Sequence, residues 1–190
     1  MITRVKNQSI SSKSLYNPLA FGHFLLLIMV FSSCQSEEVK KSSASDSRPF
    51  YELMISESES VKVKLAISEK DQIQGLSGVK PEQLADDEGM LFVYRSIGPR
   101  SFWMPDTYFD LDLIYLDQNF HVIDIYRGLK HHPGRENNPP IPRAPTVYSW
   151  HVLELKTSSP YSKKIRQFQK LIWKPGQNLP KILQDTRPQK

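Results

Sequence analysis

The sequence lacks several features that would place it in a known functional class. It has 190 residues and one cysteine, Cys34, so no disulfide can form within the chain. Its main apolar run, residues 19–31, is well short of the roughly 20 residues of a membrane-spanning helix. We find no Gly-rich phosphate loop, nucleophile elbow or dinucleotide fingerprint. Because of these absences, the sequence predicts the location and the fold of the protein better than it predicts a reaction.

The first 34 residues follow the plan of an export signal. A polar, basic start is followed by the apolar run, and the small residues Ser32 and Ser33 stand directly before Cys34. This ending resembles the lipobox of bacterial lipoproteins, which implies a diacylglycerol on the Cys34 thiol and cleavage before that residue. We therefore expect a protein that is lipid-anchored at the cell envelope, with membrane lipid as a partner. In a Gram-negative cell this means the outer membrane, on its periplasmic face or the cell surface. The alternative is an ordinary secreted protein with a buried thiol.

The charge balance gives little support to nucleic-acid binding. The formal net charge is +5, but three basic residues and no acidic residue lie in the expected signal peptide, residues 1–33. The remaining chain has 22 basic and 20 acidic side chains, a net charge of about +2. We expect no nucleic-acid partner.

The mature chain is predicted to be one domain with polar ends. Residues 34–49 are rich in Ser, Lys and Glu and indicate a flexible tether, because such a segment cannot bury enough apolar surface to become ordered. The folded domain is expected over residues 50–183, with a frayed tail over residues 184–190. No internal repeat is present.

Short β-rich segments dominate the predicted domain. Val61, Val63 and Leu65 alternate with polar or small residues, which is typical of a strand with one buried face. Further strands are predicted over residues 51–55, 90–94, 102–104, 111–116, 120–126 and 147–155, and residues 117–119 are expected to form a hairpin turn. The predicted fold class is therefore mainly β, of the α+β kind.

A few short helices and one long loop complete the prediction. Ser68 is placed to cap a helix that ends at Gly75, and another short helix is expected to begin at Pro81. Ser159 and Pro160 indicate the start of an amphipathic helix, whose apolar side would contain Ile165, Phe168, Leu171 and Ile172. The proline-rich residues 129–145 predict an exposed, partly extended loop.

Five short motifs in a fixed order resemble the DUF192 family. They are Gln74-Gly75-Leu76, Gly89-Met90-Leu91-Phe92, Phe102-Trp103-Met104 with Thr107, Leu111-Asp112, and Val152-Leu153-Glu154-Leu155. The resemblance covers about residues 61–179. It implies a compact, single-domain, barrel-like antiparallel β structure, and it implies no reaction.

The segment around Trp103 is the best candidate for ligand binding. Trp103, Asp106, Thr107 and Asp112 combine an aromatic surface with carboxylates, a mixture that suits a sugar or peptide, so an envelope glycan, peptide or protein is the expected partner. The alternative is structural, with Phe102 and Met104 in the core and Thr107 and Asp112 bonded to nearby backbone. This segment favours a non-enzymatic binding or accessory module.

Two carboxylates give a second hypothesis. Asp112 and Glu154 each stand between leucines on predicted strands, and a converging pair could provide acid and base in an envelope hydrolase. His121, His131, His132 and His151 suggest a divalent metal that would assist it, but their spacing fits no known metal motif, so no metal or other cofactor is expected. The alternative for both carboxylates is a solvated position or an ion pair.

A basic run lies near the carboxyl end of the predicted domain. Lys163, Lys164, Arg166 and Lys170 would lie on the solvent side of the last predicted helix. Such a run either attracts anionic lipid or is simply a solvated face.

Overall fold

The computed structural model describes residues 47–185 of the chain. Cys34, the predicted signal peptide, most of the predicted tether and residues 186–190 lie outside the described residues. Between residues 47 and 185, no helix is long and apolar enough to cross a membrane.

Seven strands and three short helices form the described domain. The strands are β1 (Tyr51–Met54), β2 (Ser60–Ala66), β3 (Glu88–Arg100), β4 (Leu111–Leu116), β5 (Val122–Leu129), β6 (Val147–Lys156) and β7 (Ile172–Trp173). The helices are α1 (Glu69–Gln74), α2 (Pro160–Lys164) and α3 (Leu179–Asp185), with a 3₁₀ turn at Pro81–Gln83.

The strands form one curled, half-barrel sheet in the order β5-β4-β6-β3-β2-β1-β7. The mainly β, barrel-like fold class is confirmed. One pair departs from the antiparallel arrangement, because β2 and β3 run parallel. A parallel pair needs a crossover connection, and residues 67–87 with α1 and the 3₁₀ turn provide it.

A single segment near the carboxyl end bonds to both ends of the sheet. The Phe168 amide donates to the Val122 carbonyl at 2.8 Å, and the Leu171 amide donates to the Phe120 carbonyl at 2.9 Å. Two residues further on, Trp173 pairs with Leu53 of β1. Residues 168–173, which we call the closing segment, therefore connect β5 to β1.

Apolar side chains cover both faces of the sheet. All six residues of β4 are buried, which explains its almost continuous apolar sequence. Ile114 packs in a cluster with Leu91 and Leu153, on the face that α3 covers through Ile182. Leu113 packs in the opposite cluster with Phe92, beneath the crossover connection and residues 101–105.

Several local predictions are confirmed. Ser68 caps α1 by accepting the Asp71 amide at 3.1 Å, and Gly75 ends that helix at a φ of 49°. The turn at residues 117–120 joins β4 and β5, with the Phe120 amide donating to the Asp117 carbonyl. Residues 130–146 form the predicted loop without helix or strand.

Two predicted elements differ from the structure. Residues 102–104 are not a strand, because only an isolated bridge joins Trp103 to Arg143. The amphipathic helix is wrong beyond Lys164, where α2 ends. The following backbone bonds to β5 instead, so Phe168 and Ile172 are 80% and 57% exposed while Ile165 and Leu171 remain buried.

Candidate functional site

A cavity of about 250 Å³ lies between α1, one face of the sheet and residues 101–107, which we call the Trp103 segment. Its floor is formed by strand residues of β3, β4 and β6, and its walls by the crossover connection and the Trp103 segment. The lining includes Gly75, Phe92, Tyr94, Phe102, Trp103 and Glu154.

Glu154 is the unusual group of this cavity. Its side chain is only 5% exposed, and Oε2 has no hydrogen-bond partner among the described residues. Burial disfavours the charged form and raises the pKa of the Glu154 carboxyl to about 8. The group is therefore mostly protonated at neutral pH and can change its charge near that pH.

The position of Glu154 follows from the strand pairing. On β6 it pairs with Met90 of β3 on one side and with Leu113 of β4 on the other. Paired residues on adjacent strands share a face of the sheet, so apolar side chains flank the carboxyl on both sides. Neither neighbour offers a hydrogen-bond donor, which explains why Oε2 has no partner within residues 47–185.

Gly75 keeps the space beside the carboxyl open. A Cβ atom at Gly75 would lie 3.2 Å from Cζ of Phe92 and 3.9 Å from Oε2 of Glu154. Because φ is 49° at this position, residues other than glycine are also disfavoured here by their backbone conformation. The glycine thus ends α1 and leaves room above the floor of the cavity.

Aromatic rings form much of the wall. Phe92 and Phe102 meet edge to face with their centroids 4.9 Å apart. Trp103 is 44% exposed at the mouth, with the Arg143 guanidinium carbon 5.0 Å from its ring centroid. Trp103 therefore remains accessible to a ligand, as the ligand-binding prediction requires.

Thr107 holds the Trp103 segment against the long loop. Its hydroxyl donates to the Met104 carbonyl at 2.8 Å and accepts the His132 amide at 3.1 Å. Its own amide donates to the His132 carbonyl. Thr107 is buried and lines the cavity, but its hydroxyl is committed to these backbone groups, which agrees with the structural alternative.

Asp106 has a local role beside the cavity. It adopts a φ of 53°, its amide donates to the Gly134 carbonyl, and its carbonyl accepts the Gly78 amide. One carboxylate oxygen accepts the Tyr108 hydroxyl at 2.8 Å. Asp106 shapes the turn after Trp103 and is not part of the cavity lining.

Asp112 lies in a different environment. Its carboxylate accepts hydrogen bonds from Arg127 at 2.7 Å, Ser162 at 2.7 Å, Thr157 at 2.8 Å and the Gly128 amide at 2.8 Å. Burial alone would raise its pKa, but these four hydrogen bonds outweigh burial and hold the pKa below its ordinary value. Because Arg127 also bonds to the Ser162 and Ile165 carbonyls, this network fixes α2 to the sheet.

The structure does not bring Asp112 and Glu154 together. Asp112 pairs with Leu155, and Glu154 pairs with the adjacent Leu113. Since successive residues of a strand point to opposite faces, the two carboxylates lie on opposite faces of the sheet. The geometry gives no support to a paired-carboxylate mechanism.

The histidines are dispersed. His121 lies 3.1 Å from Asp117, His131 lies 2.6 Å from Asp110, and His132 is buried with Nε2 2.7 Å from the Glu136 carbonyl. His151 is buried and stacks on a phenyl ring, and burial lowers its pKa to about 4. Within residues 47–185, no group of three His, Cys, Asp or Glu side chains could hold a metal ion.

Sequence reasoning missed the partnership of Glu154 with the Trp103 segment. All five motifs contribute to the cavity lining, through Gln74-Gly75-Leu76, Phe92, Phe102-Trp103-Met104 with Thr107, Leu111 and Glu154. The available signal was the unusual placement of a glutamate within the apolar run Val152-Leu153-Glu154-Leu155, which predicts an expensive buried carboxyl.

Comparison with known proteins agrees with the order of these motifs. The family model DUF192, described as "Uncharacterized ACR", matches residues 52–173. The chain belongs to the DUF192 family. The matched range includes all the residues that line the cavity, from Glu69 to Glu154. No curated protein matches the chain.

Two solved structures are similar to this DUF192 protein. A candidate transcription regulator from Sinorhizobium meliloti is 24% identical, with a TM-score of 0.50 over 65% of this chain and 92% of that one. A protein of unknown function from Novosphingobium aromaticivorans is also 24% identical, with a TM-score of 0.49 over 65% of this chain and 84% of that one. The first likeness supports the shared fold alone.

Proposed function

We propose that this protein is an exported lipoprotein, anchored through acylated Cys34, whose DUF192 domain is a binding module. Its binding site is the cavity above Glu154. The observation that carries the proposal is the Oε2 atom of Glu154, which is buried beside the cavity and has no hydrogen-bond partner in the part of the chain that the structure describes. A polar atom in this position costs stability unless something else satisfies it.

A ligand would offset this cost. A donor group that reaches the Glu154 carboxyl would gain a hydrogen bond at a buried position, where such bonds are stronger than in water. The aromatic walls would contact an apolar ligand body, and Trp103 would stack on a part that extends from the mouth. An envelope glycan or peptide presents such combinations, and the cavity volume limits the inserted part to a small group.

Ligand-detected NMR on the full chain tests this binding function. The screen uses envelope sugars, short peptides and small amines, and Trp103→Ala should abolish the signals of any true ligand. Tyr148→Ala is the matched control, because Tyr148 is 67% exposed on β6 and does not line the cavity. Hits that both variants retain would contradict a site at this cavity.

The anchor is supported by the sequence before the domain. The small residues before Cys34 fit lipoprotein processing, and the polar residues 35–49 give the domain a tether from the membrane. Two or more acyl chains anchor a protein durably, so Cys34 would need no further membrane contact. Cys34→Ser should abolish labelling by a fatty-acid analogue and leave an unprocessed precursor, whereas unchanged labelling would refute the anchor.

An envelope hydrolase is the second candidate function. The observation in its favour is the raised pKa of Glu154, because a carboxyl near pKa 8 can act as a general acid at neutral pH. Asp112 would take no part in it, since its oxygens are bonded on the opposite face. Conversion of a bound ligand to product, lost in Glu154→Gln while binding remains, would favour the hydrolase; binding without product favours the module.

A further inference from the structure

The charged residues that line the cavity have one sign. Glu69 of α1 and Glu154 of β6 are both acidic, and no Lys, Arg or His is among the described lining residues. This differs from the chain as a whole, which has more basic than acidic residues. A buried carboxyl in a basic protein would ordinarily find a cationic partner within the chain. No described residue provides this partner for Glu154, so a cationic ligand would supply it.

The rest of the wall also favours a positive charge. Phe92, Tyr94, Phe102 and Trp103 all line the cavity, and the faces of aromatic rings attract cations. Guanidinium groups already lie over two of these rings, at 3.5 Å from the Tyr94 centroid and 5.0 Å from the Trp103 centroid. The rings of this region therefore already bind cations within the protein itself.

A metal ion fits the cavity poorly. Calcium and magnesium need about six or more oxygen ligands, whereas the lining has two carboxylates, the buried Glu154 and the exposed Glu69, among aromatic, aliphatic and neutral polar side chains. The described residues also contain no metal-binding cluster. The chemistry of the walls suits a cation with an organic body.

We propose that the Glu154 cavity binds small organic cations, specifically a protonated amine attached to an apolar or aromatic group. This inference rests on the proposed binding function and adds its ligand class. The ammonium N–H groups donate to the Glu154 carboxylate, and the apolar part contacts Phe92 and Phe102. The exposed Trp103 ring covers the outer end of the ligand.

Binding is coupled to proton release. Below the pKa of about 8, the free protein holds a proton on Glu154, and the ammonium ligand arrives with its own charge. Formation of the ion pair transfers the Glu154 proton to solvent, while the nitrogen keeps all of its protons. The affinity should therefore rise about tenfold per pH unit up to pH 8 and then level off.

The titratable groups near Glu154 should not mask this pH dependence of the affinity. Burial raises the pKa of Tyr94 and Tyr115, and His151 on the opposite face has a pKa of about 4, so none of the three changes charge between pH 6 and 8. Lys156, on the same face of β6 as Glu154, is paired with Asp86 at 2.9 Å. Glu69 is exposed at the mouth of the cavity.

Calorimetry on the full chain with three probes of similar shape tests the ligand class. The probes are 2-phenylethylammonium, neutral 2-phenylethanol and anionic 3-phenylpropionate, each titrated at pH 6, 7 and 8 in buffers of different ionisation enthalpy. We expect the ammonium to bind at least about tenfold more tightly than either other probe at pH 7, with close to one proton released. Glu154→Gln should remove both the preference and the proton release, whereas Asp124→Asn, which changes an exposed carboxylate of β5, should alter neither.

Each other outcome overturns the inference in a distinguishable way. Equal or tighter binding of the alcohol or the carboxylate, still lost in Trp103→Ala, refutes the cation class but leaves the binding module standing. Ammonium binding that persists in Glu154→Gln refutes the role of the carboxyl. If none of the three probes binds, the cation inference fails, and failure of the wider ligand screen would then refute the proposed function as well.

Discussion

Replacement of Glu154 by Gln should remove a large part of the pH dependence of stability. Glu154 has a pKa of about 8 in the folded protein, against 4.5 for an ordinary glutamate. Between these two values the folded state holds a proton that the unfolded state has released. The free energy of unfolding therefore falls as the pH rises from 4.5 to 8, by about 1.4 kcal/mol per pH unit.

The whole effect amounts to about 5 kcal/mol, a large share of the stability of a domain of this size. His151 acts in the opposite direction below pH 6.5, because its folded pKa is lowered to about 4 from 6.5. The window from pH 6.5 to 8 therefore isolates Glu154. In this window the wild type should lose about 2 kcal/mol while Glu154→Gln loses almost nothing.

Urea denaturation at half-unit pH steps measures this difference. Asp124→Asn is the control, because its exposed carboxylate should leave the wild-type slope unchanged. The amide in Glu154→Gln is also buried, so its burial should change the free energy of unfolding of the variant by an amount that does not depend on pH. This constant contribution carries no information about ionisation. Parallel curves for wild type and Glu154→Gln between pH 6.5 and 8 would refute the buried, proton-holding carboxyl.

Three further changes test other parts of the structure. Asp112→Asn should lower the free energy of unfolding by about 2–4 kcal/mol in urea titrations, because it leaves Arg127 without its buried charge partner. Glu59→Gln, whose carboxylate pairs with the 53% exposed Lys164, should cost less than about 1 kcal/mol, and equal losses for the two variants would argue against the network. Gly89→Ala should cost about 3 kcal/mol or more in thermal unfolding, because its Cβ would lie 2.3 Å from the Glu154 carbonyl oxygen, while Gly98→Ala, with a nearest contact of 3.4 Å, should be mild. His151→Phe should reduce the loss of stability as the pH falls from 6.5 to 4, because the native histidine resists protonation in this range. If the free energy of unfolding of the variant fell as steeply as that of the wild type over this range, the burial of His151 as a neutral imidazole would be contradicted.

Predictions from local pattern succeeded where the local signal and the tertiary structure agree. Alternation in residues 61–67 predicted β2, and Ser68 with Gly75 predicted both ends of α1, because side-chain period and capping depend on neighbours in the chain. The β-rich segments predicted the mainly β class for the same reason. The resemblance to DUF192 added the barrel-like form.

Predictions failed where distant partners decide the structure. The spacing of Ile165, Phe168 and Leu171 is helical, yet the chain turns at Phe168, which has a φ of 68°, and residues 168–171 bond to the backbone of residues 120–122. In the same way, chain spacing could not show that Glu154 faces the Trp103 segment while Asp112 faces α2. A shift of one residue in the pairing of β4 with β6 would place Asp112 on the same face as Glu154, so the register decides the composition of the site.

The closing segment has a consequence for the order in which the domain folds. Trp173 pairs with Leu53, its partner 120 positions earlier in the chain. Contacts of such separation form late, because a long stretch of chain must lose its freedom before they contribute. As the chain emerges from its amino end, β1 cannot gain its outer neighbour until residue 173 has been synthesised. A newly made chain would thus keep the outer edge of β1 unpaired until synthesis of the domain is almost complete.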